Sequence, residues 1–176
     1  MAAVDAAAAA KDADMKNKAK FLWIIPIVIV VLDQVAKYFV INNLIISEQL
    51  TLIPGFLSIM KIYNSGIILG MYFHNNNLIA IISLMLVCII SIFVFLSQSG
   101  KIKSHLSRVT LVAFHLIIGG AISNIIDRIL HSSVVDYIHL DFINFPIFNI
   151  ADIAITSAAI LLIWEILFGA DIANKK

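Results

Sequence analysis

The stretch LIAIISLMLVCIISIFVFL, residues 78–96, decides the fold, because none of its side chains carries a charge. A helix of about 20 mainly apolar residues crosses the roughly 30 Å hydrocarbon core of a bilayer. With 61% hydrophobic and 13% charged residues, the chain is far more apolar than a soluble domain, which has about 25% charged residues. The sequence therefore predicts an all-α membrane protein whose four transmembrane helices cover roughly 21–41, 76–98, 109–130 and 148–169.

Basic residues near the span ends predict the orientation. Cytoplasmic loops of membrane proteins carry an excess of lysine and arginine. One side of the predicted bundle holds Lys16, Lys18, Lys20, Lys101, Lys103, Arg108, Lys175 and Lys176, and the other side holds only Lys61 and Arg128. Both termini are therefore expected in the cytoplasm, with segments 42–75 and 131–147 outside.

The two outer segments are too apolar to be simple linkers. TLIPGFLSIMKIY (51–63) has a Pro-Gly turn signal followed by β-branched and aromatic residues, and SSVVDYIHLDFINFPIF (132–148) is similar. Both segments predict strands, so we expect a small extracytoplasmic β-structure at the outer membrane surface. One side of the second strand would carry Val134, Asp136, Ile138, Leu140 and Phe142.

The N-terminal segment MAAVDAAAAAKDAD, residues 1–14, differs in composition from the rest of the chain. It lacks the basic start and apolar core of a secretory signal. We interpret it as a tag or a disordered extension, and we expect residues 15–176 to form a single integral-membrane domain.

Charged residues inside a span cost about 2.5–3.5 kcal/mol each, so each needs a reason. In the first span, Asp33 and Lys37 are four residues apart and can pair on one helix face. They could be a structural ion pair, a supporting shell for a site, or both. In the third span, GGAISNIIDR (119–128) places Asn124 and Asp127 on one face, with Arg128 at its border. That face could be a polar packing seam or part of a site.

Two further aspartates flank the start of the fourth span. Asn149 is a candidate N-cap, which places Asp152 in the first turn of the helix, and Asp136 precedes this turn by a short outer segment. First-turn acidity is common in helices, but Asp136 and Asp152 could also meet near the outer face. Two close carboxylates tend to share one proton, so that one can act as a base and the other as an acid.

Other chemistries find little support in the sequence. There is no Gly-x-Ser-x-Gly elbow, no HExxH or comparable metal spacing, and no P-loop or dinucleotide glycine pattern. We therefore expect no metal and no cofactor. A net charge of +1 gives no dense basic face for nucleic acid.

Taken in order, five motifs resemble the bacterial lipoprotein signal peptidase (signal peptidase II) family: LDQVAK (32–37), YNSG (63–66), GGAISNIIDR (119–128), VVDYI (134–138) and FNIAD (148–152). The resemblance implies an aspartic endopeptidase of the bacterial inner membrane. It would remove signal peptides from diacylglyceryl-modified prolipoproteins by cleaving before the lipidated cysteine. The implied fold is four helices with a small periplasmic β-cradle and a short amphipathic helix on the membrane.

The resemblance also implies roles for individual residues. Asp136 and Asp152 match the catalytic pair. The positions that bind substrate or shape the site are matched by Asn64, Gly66, Asn124, Arg128 and Asn149, and the supporting polar positions by Asp33, Lys37 and Asp127. Two departures occur: Ile67, Ile68 and Leu69 follow YNSG where the family has small residues and then an aromatic, and Ser123 stands where it has glycine.

The expected partners are lipidated prolipoprotein, membrane lipid and globomycin-type cyclic peptide inhibitors, and the protein is expected to act as a monomer. Two alternatives remain open from the sequence. A polar-relay membrane transporter would use Asp33, Lys37, Asp127 and Asp152, and an inactive paralogue would use the same residues only to assemble its helices.

Overall fold

The fold was analysed in a computed structural model that describes residues 21–65, 67–68, 71–72, 76–102 and 106–173. Side chains are described throughout these ranges except at 67–68, 71–72, 76–77 and 170–173. The segment 1–14 and the basic residues Lys16, Lys18, Lys20, Lys103, Lys175 and Lys176 lie outside the described residues.

Four long helices form the body of the protein: α1 (Ile24–Asn43), α2 (Asn76–Gln98), α3 (Arg108–His131) and α4 (Ile150–Ala173). Each is long and apolar enough to cross a membrane, over Phe21–Asn43, Leu78–Gln98, Arg108–His131 and Ile150–Gly169. The four predicted spans are confirmed to within a few residues. A single 3₁₀ turn, Phe21–Trp23, precedes α1.

Helix α3 is the central helix and packs against the other three. Two neighbouring glycines allow its close contacts. A Cβ on Gly119 would lie 2.7 Å from the Cα of Pro26 in α1, and one on Gly120 would lie 2.5 Å from the carbonyl oxygen of Ala151 in α4. Only glycine permits both approaches, and they bring the polar face of α3 against the polar face of α1 and the start of α4.

The predicted small β-structure is confirmed as an antiparallel sheet in the order β1-β2-β5, with β1 at Gln49–Ile53, β2 at Leu57–Asn64 and β5 at Val134–Leu140. Gly55, at the predicted turn, has a φ of +70° and lies between β1 and β2. A two-stranded hairpin follows, with β3 at Ile67–Ile68 and β4 at Met71–Tyr72.

Two expectations for the outer segments are not met in the described residues. Strand β5 ends at Leu140, so Phe142 belongs to the turn that follows and does not continue the strand. The implied amphipathic surface helix is not present in the described parts of the chain. The described residues between β2 and α2 include the short strands β3 and β4.

Candidate active site

Asp152 lies in the first turn of α4, and Asn149 caps this turn, as predicted; the two residues form a reciprocal cap. The side chain of Asn149 accepts a hydrogen bond from the Asp152 backbone N–H at 2.8 Å. In return, the Asn149 backbone N–H donates to Asp152 Oδ2 at 3.2 Å. This arrangement satisfies two N–H groups that a helix start leaves unpaired, and it fixes one oxygen of the Asp152 carboxylate.

Asp136 lies on β5 and is buried, with 3% of its surface exposed. Its Oδ2 accepts a hydrogen bond from the Asn64 side chain at 2.9 Å, and its Oδ1 accepts one from the Asn149 side chain at 2.7 Å. The pairing of β2 with β5 explains the first contact, because Asn64 pairs with Val134, and Ile62 with Asp136 itself. Both carboxylate oxygens therefore have amide partners.

Asn149 contacts both carboxylates and so joins them. Its backbone N–H reaches Asp152, and its side-chain amide reaches Asp136 and, at 3.2 Å, Asn124 Oδ1. Asn124 completes the link, because its own amide donates to Asp152 Oδ1 at 2.9 Å. The structure thus brings together four of the residues singled out from the sequence.

Burial changes the acidity of Asp136. Loss of hydration in its buried position raises the pKa of Asp136 from 3.8 to about 7, and the nearby charge of Asp152 adds to this rise. The hydrogen bonds from Asn64 and Asn149 and the charge of Lys37 act in the opposite direction without cancelling it. Asp136 therefore exchanges a proton in the neutral pH range, as a general acid or base at this pH should.

Behind the two carboxylates lies a buried charge network centred on Lys37. Its Nζ is 2.6 Å from Asp33 Oδ2, 2.7 Å from Asp127 Oδ2 and 3.1 Å from Asn124 Oδ1. None of the three charged side chains is more than 2% exposed. The network contains the ion pair of Asp33 and Lys37, and it contacts Asp152 through Asn124.

Asp33 and Asp127 also anchor the surrounding elements. Asp33 accepts hydrogen bonds from Ser123 Oγ at 2.7 Å, from the Tyr137 hydroxyl at 3.3 Å and from the Ala151 backbone N–H at 3.3 Å. Asp127 accepts the Val135 backbone N–H at 2.9 Å. One pair of carboxylates in α1 and α3 therefore fixes both β5 and the start of α4, which carry Asp136 and Asp152.

Sequence reasoning missed two side chains of this network. Gln34 donates to Asp127 Oδ1 at 2.9 Å, and Tyr137 donates to Asp33. Burial, followed by the neighbouring charge of Asp33, raises the pKa of Tyr137, so its hydroxyl stays protonated as a donor. Each residue is the chain neighbour of a predicted site residue. Ser123, which stands where the family pattern has glycine, supplies a hydroxyl that donates to Asp33.

The remaining predicted residues are placed as follows. Arg128 donates to the Asn124 carbonyl oxygen at 3.2 Å, and its charge acts on Asp152, Asp136 and Asp127. Gly66 lies outside the described residues, as does Leu69, and the side chains of Ile67 and Ile68 are likewise not described. Within the described ranges, no three His, Cys, Asp or Glu side chains are grouped so that they could hold a metal ion.

Asp136 and Asp152 both line a pocket of about 440 Å³ at the start of α4. One wall is apolar and comes from the segment between β5 and α4. The full lining consists of Asn64, Asp136, Phe145, Pro146, Ile147, Phe148, Asp152, Ile153, Thr156 and Ser157. The pocket therefore joins an apolar surface to a pair of carboxylates, which suits acid–base chemistry on a substrate that is itself partly apolar.

Known proteins are similar to this chain in both sequence and fold. The family model described as signal peptidase (SPase) II matches residues 25–168. A lipoprotein signal peptidase of Lactobacillus johnsonii is 33% identical over 153 residues, which is 87% of this chain and 96% of that protein. One from Brucella ovis is 37% identical over 147 residues, covering 81% and 87% of the two chains.

Two solved structures of bacterial membrane enzymes have the same architecture. One superposes with a TM-score of 0.75 at 31% identity, covering 89% of this chain and 92% of the other. The second gives a TM-score of 0.73 at 31% identity, covering 84% and 93%. Since the family match extends through all four helices and the sheet, the chain belongs to the signal peptidase II family.

Proposed function

We propose that this multi-pass inner-membrane protease cleaves lipoprotein precursors with Asp136 and Asp152 as its catalytic pair. The observation that carries the proposal is the position of Asn149, which hydrogen-bonds both carboxylates at the edge of one pocket. Membership of the family makes the protein a lipoprotein signal peptidase and does not favour the transporter or inactive-paralogue alternatives.

In the proposed reaction, Asp136 begins protonated and Asp152 ionised. Asp152 accepts a proton from water as the water oxygen bonds to the scissile carbonyl carbon, and Asp136 gives its proton to the carbonyl oxygen. The resulting gem-diol collapses when one hydroxyl returns a proton to Asp136 and the C–N bond breaks. The leaving nitrogen takes the proton held by Asp152, which restores the starting state and requires no covalent enzyme intermediate.

The remaining residues position and polarise this pair. Asn124 and Asn149 orient Asp152 through three hydrogen bonds, and Asn64 orients Asp136. Arg128 supplies positive charge close to both carboxylates. Groups fixed in advance around the reacting atoms stabilise the developing charge without having to reorganise during the reaction. We assign Gly66 to the same substrate-binding set because it matches the family motif.

The proposed substrate is a prolipoprotein whose cysteine carries diacylglycerol, cut immediately before that cysteine. The apolar wall of Phe145, Pro146, Ile147 and Phe148 supports an acyl-bearing substrate, because it places hydrocarbon beside the carboxylates. The apolar wall and the carboxylates also favour inhibition by a globomycin-type cyclic peptide. Both aspartates come from one chain, which supports action as a monomer.

We place the site near the outer face, with both termini in the cytoplasm. The sheet and the pocket lie at the end of the bundle where α1 ends and α4 begins. Basic residues concentrate at the opposite end in the sequence, and Lys61, one of the two exceptions, is buried with its ammonium on the Ile41 carbonyl oxygen at 3.1 Å. The charge asymmetry therefore favours this orientation.

The function is tested in bacterial cells depleted of their own lipoprotein signal peptidase. Expression of this chain is expected to restore the conversion of a lipidated precursor to mature lipoprotein on a gel, and globomycin is expected to block that conversion. A variant with both Asp136 and Asp152 changed to Asn serves as the control for expression and insertion. Continued accumulation of precursor with the inserted wild-type protein would contradict the proposal.

The pH dependence of cleavage should report the proton on Asp136. Because this carboxyl must be protonated and its pKa is about 7, kcat/KM is expected to fall roughly tenfold per unit above that pH. Asn64→Ala removes a hydrogen bond that stabilises the ionised form. The pKa of Asp136 should then rise further, and the falling limb should move to higher pH.

The measurement is a pH profile of cleavage of lipidated precursor by purified enzyme in detergent. Gln49→Ala is the matched control, because Gln49 lies on β1 of the same sheet and its amide contacts Ser58 and Asp141 but not Asp136. The assignment of the acid to Asp136 fails if Asn64→Ala leaves the falling limb where the wild type and Gln49→Ala have it.

A further inference from the structure

Two hydroxyl side chains of α4 line the pocket below the carboxylates. Thr156 follows Asp152 by four residues, so the two lie on the same helix face, and Thr156 is about 6 Å farther along α4 toward the membrane interior. Ser157 lines the pocket beside it. The mechanism proposed above uses neither residue.

Both hydroxyls lack a hydrogen-bond partner among the residues that the structure describes. Serine and threonine in membrane helices commonly bond back to the carbonyl four residues earlier, but here neither Thr156 nor Ser157 makes such a bond. Thr156 is exposed, and it lines the pocket together with the apolar residues Ile153 and Phe148. Since no described protein group occupies either hydroxyl, both are available as a donor and an acceptor to a ligand in the pocket.

The substrate supplies hydrogen-bond partners for Thr156 and Ser157 at their depth in the membrane. A signal peptide in the bilayer is helical because lipid offers nothing to its backbone N–H and C=O groups. For the carboxylates to reach a peptide bond, the chain around that bond must leave the helix, which frees backbone groups on both sides. In the orientation proposed above, the residues before the scissile bond lie deeper than the bond itself. They therefore pass Thr156 and Ser157.

We propose that Thr156, assisted by Ser157, hydrogen-bonds the unwound backbone of the signal peptide just before the scissile bond. The two residues are positioning residues: they hold the extended segment and do not touch the reacting atoms. The ligand class is therefore an extended peptide backbone in a non-aqueous groove. This inference rests on the proposed function, since it takes the Asp136–Asp152 pocket as the cleavage site.

The test uses Thr156→Val, which keeps the shape and removes the hydroxyl, and Thr156→Ser, which keeps the hydroxyl. Thr156→Val is expected to lower kcat/KM on lipidated precursor about tenfold, the effect of one lost hydrogen bond, while Thr156→Ser stays within about twofold of wild type. Ser157→Ala should give a smaller loss. Ser91→Ala, a hydroxyl of α2 outside the pocket, is the matched control and should give none.

A synthetic precursor tests direct contact. In a series of peptides, one amide among the three preceding the scissile bond is replaced by an ester, which removes an N–H donor and weakens the adjacent carbonyl as an acceptor. At one position, the ester should slow the wild type and Thr156→Ser, yet add little to the loss in Thr156→Val, because the contact is already gone.

The outcomes distinguish a failure of this inference from a failure of the proposed Asp136–Asp152 site. If the Thr156→Val and ester losses multiply at every position, the hydroxyl does not contact the substrate backbone and the inference is wrong. The same conclusion follows if Thr156→Val cleaves as fast as wild type while Asp152→Asn is inactive. If Asp152→Asn cleaves normally, the proposed catalytic pair is wrong, and the pocket on which this inference rests is not the cleavage site.

Discussion

Asp136→Asn and Asp152→Asn are each expected to lower the rate of precursor cleavage by about a thousandfold or more. General acid and base steps contribute roughly 10² to 10⁴ each, and in this pair each carboxyl performs both steps in turn. Asparagine keeps the shape of the side chain and one of its two acceptor oxygens, but it can neither take nor return a proton. The measurement is single-turnover cleavage of lipidated precursor by purified protein.

A loss of activity counts only if the variants fold. Asp141→Asn is the matched control: it changes an aspartate in the turn after β5 that binds Ser58 and Gln49, and it should retain activity. Near-normal cleavage by Asp136→Asn or Asp152→Asn would remove that residue from the mechanism.

Asp136→Asn should also be no less stable than wild type at pH 8. The folded pKa of Asp136, about 7, lies above its ordinary value of 3.8. Its contribution to the free energy of unfolding is therefore fully present below about pH 4 and is lost as the pH rises through 7, at about 1.4 kcal/mol per unit. Asparagine does not ionise and avoids this loss. Thermal unfolding at pH 5 and pH 8 measures the difference.

Lys37→Met is expected to lower the free energy of unfolding by roughly 3–5 kcal/mol, the largest stability effect we predict. Methionine matches the lysine stem in length, so the change removes mainly the charge. Asp33 and Asp127 would then be buried carboxylates without the cation that pairs with both of them, since neither is more than 2% exposed. Activity should fall as well, because the same ammonium holds Asn124, which orients Asp152.

A second buried lysine provides the control for Lys37→Met. The side chain of Lys61 is 7% exposed, and its ammonium donates to the Ile41 carbonyl oxygen, with no carboxylate partner among the described residues. Lys61→Met should therefore cost less. Adding Asp127→Asn to Lys37→Met should recover part of the loss, since it removes one of the two unpaired charges. Equal unfolding midpoints for Lys37→Met and Lys61→Met would contradict the prediction.

The spans were predictable from their apolar length, and the strands from their turn signal and their β-branched and aromatic residues. Each helix must satisfy its backbone within itself in lipid, so length and hydropathy alone locate α1 to α4. The cap at Asn149 was equally local, because it depends on residues three positions apart. The polar residues of α1 and α3 were found for the same reason, as a charge in a span stands out against its neighbours.

Contacts that depend on strand register could not be read from the chain. The hydrogen bond between Asn64 and Asp136 depends on how β2 pairs with β5. The register of that pairing shifts between Ile59 and Ile62. A one-residue slip would turn Asn64 away from the carboxylate. Gln34 and Tyr137 were missed because uncharged polar side chains beside a motif give no signal until their partners are placed. The turn at Phe142 was missed because its apolar side chain fits a strand equally well.

The shared asparagine at the start of α4 has a consequence for biogenesis. Asp152, Asn149 and most of the pocket wall come from the last quarter of the polypeptide, whereas Asp33 and Lys37 come from the first. A nascent protein whose final segment has not yet entered the bilayer therefore has neither a complete acid pair nor the amide that aligns it. With Asp136 and Asp152 as the proposed catalytic pair, a chain is expected to become an active protease only after its last helix has inserted.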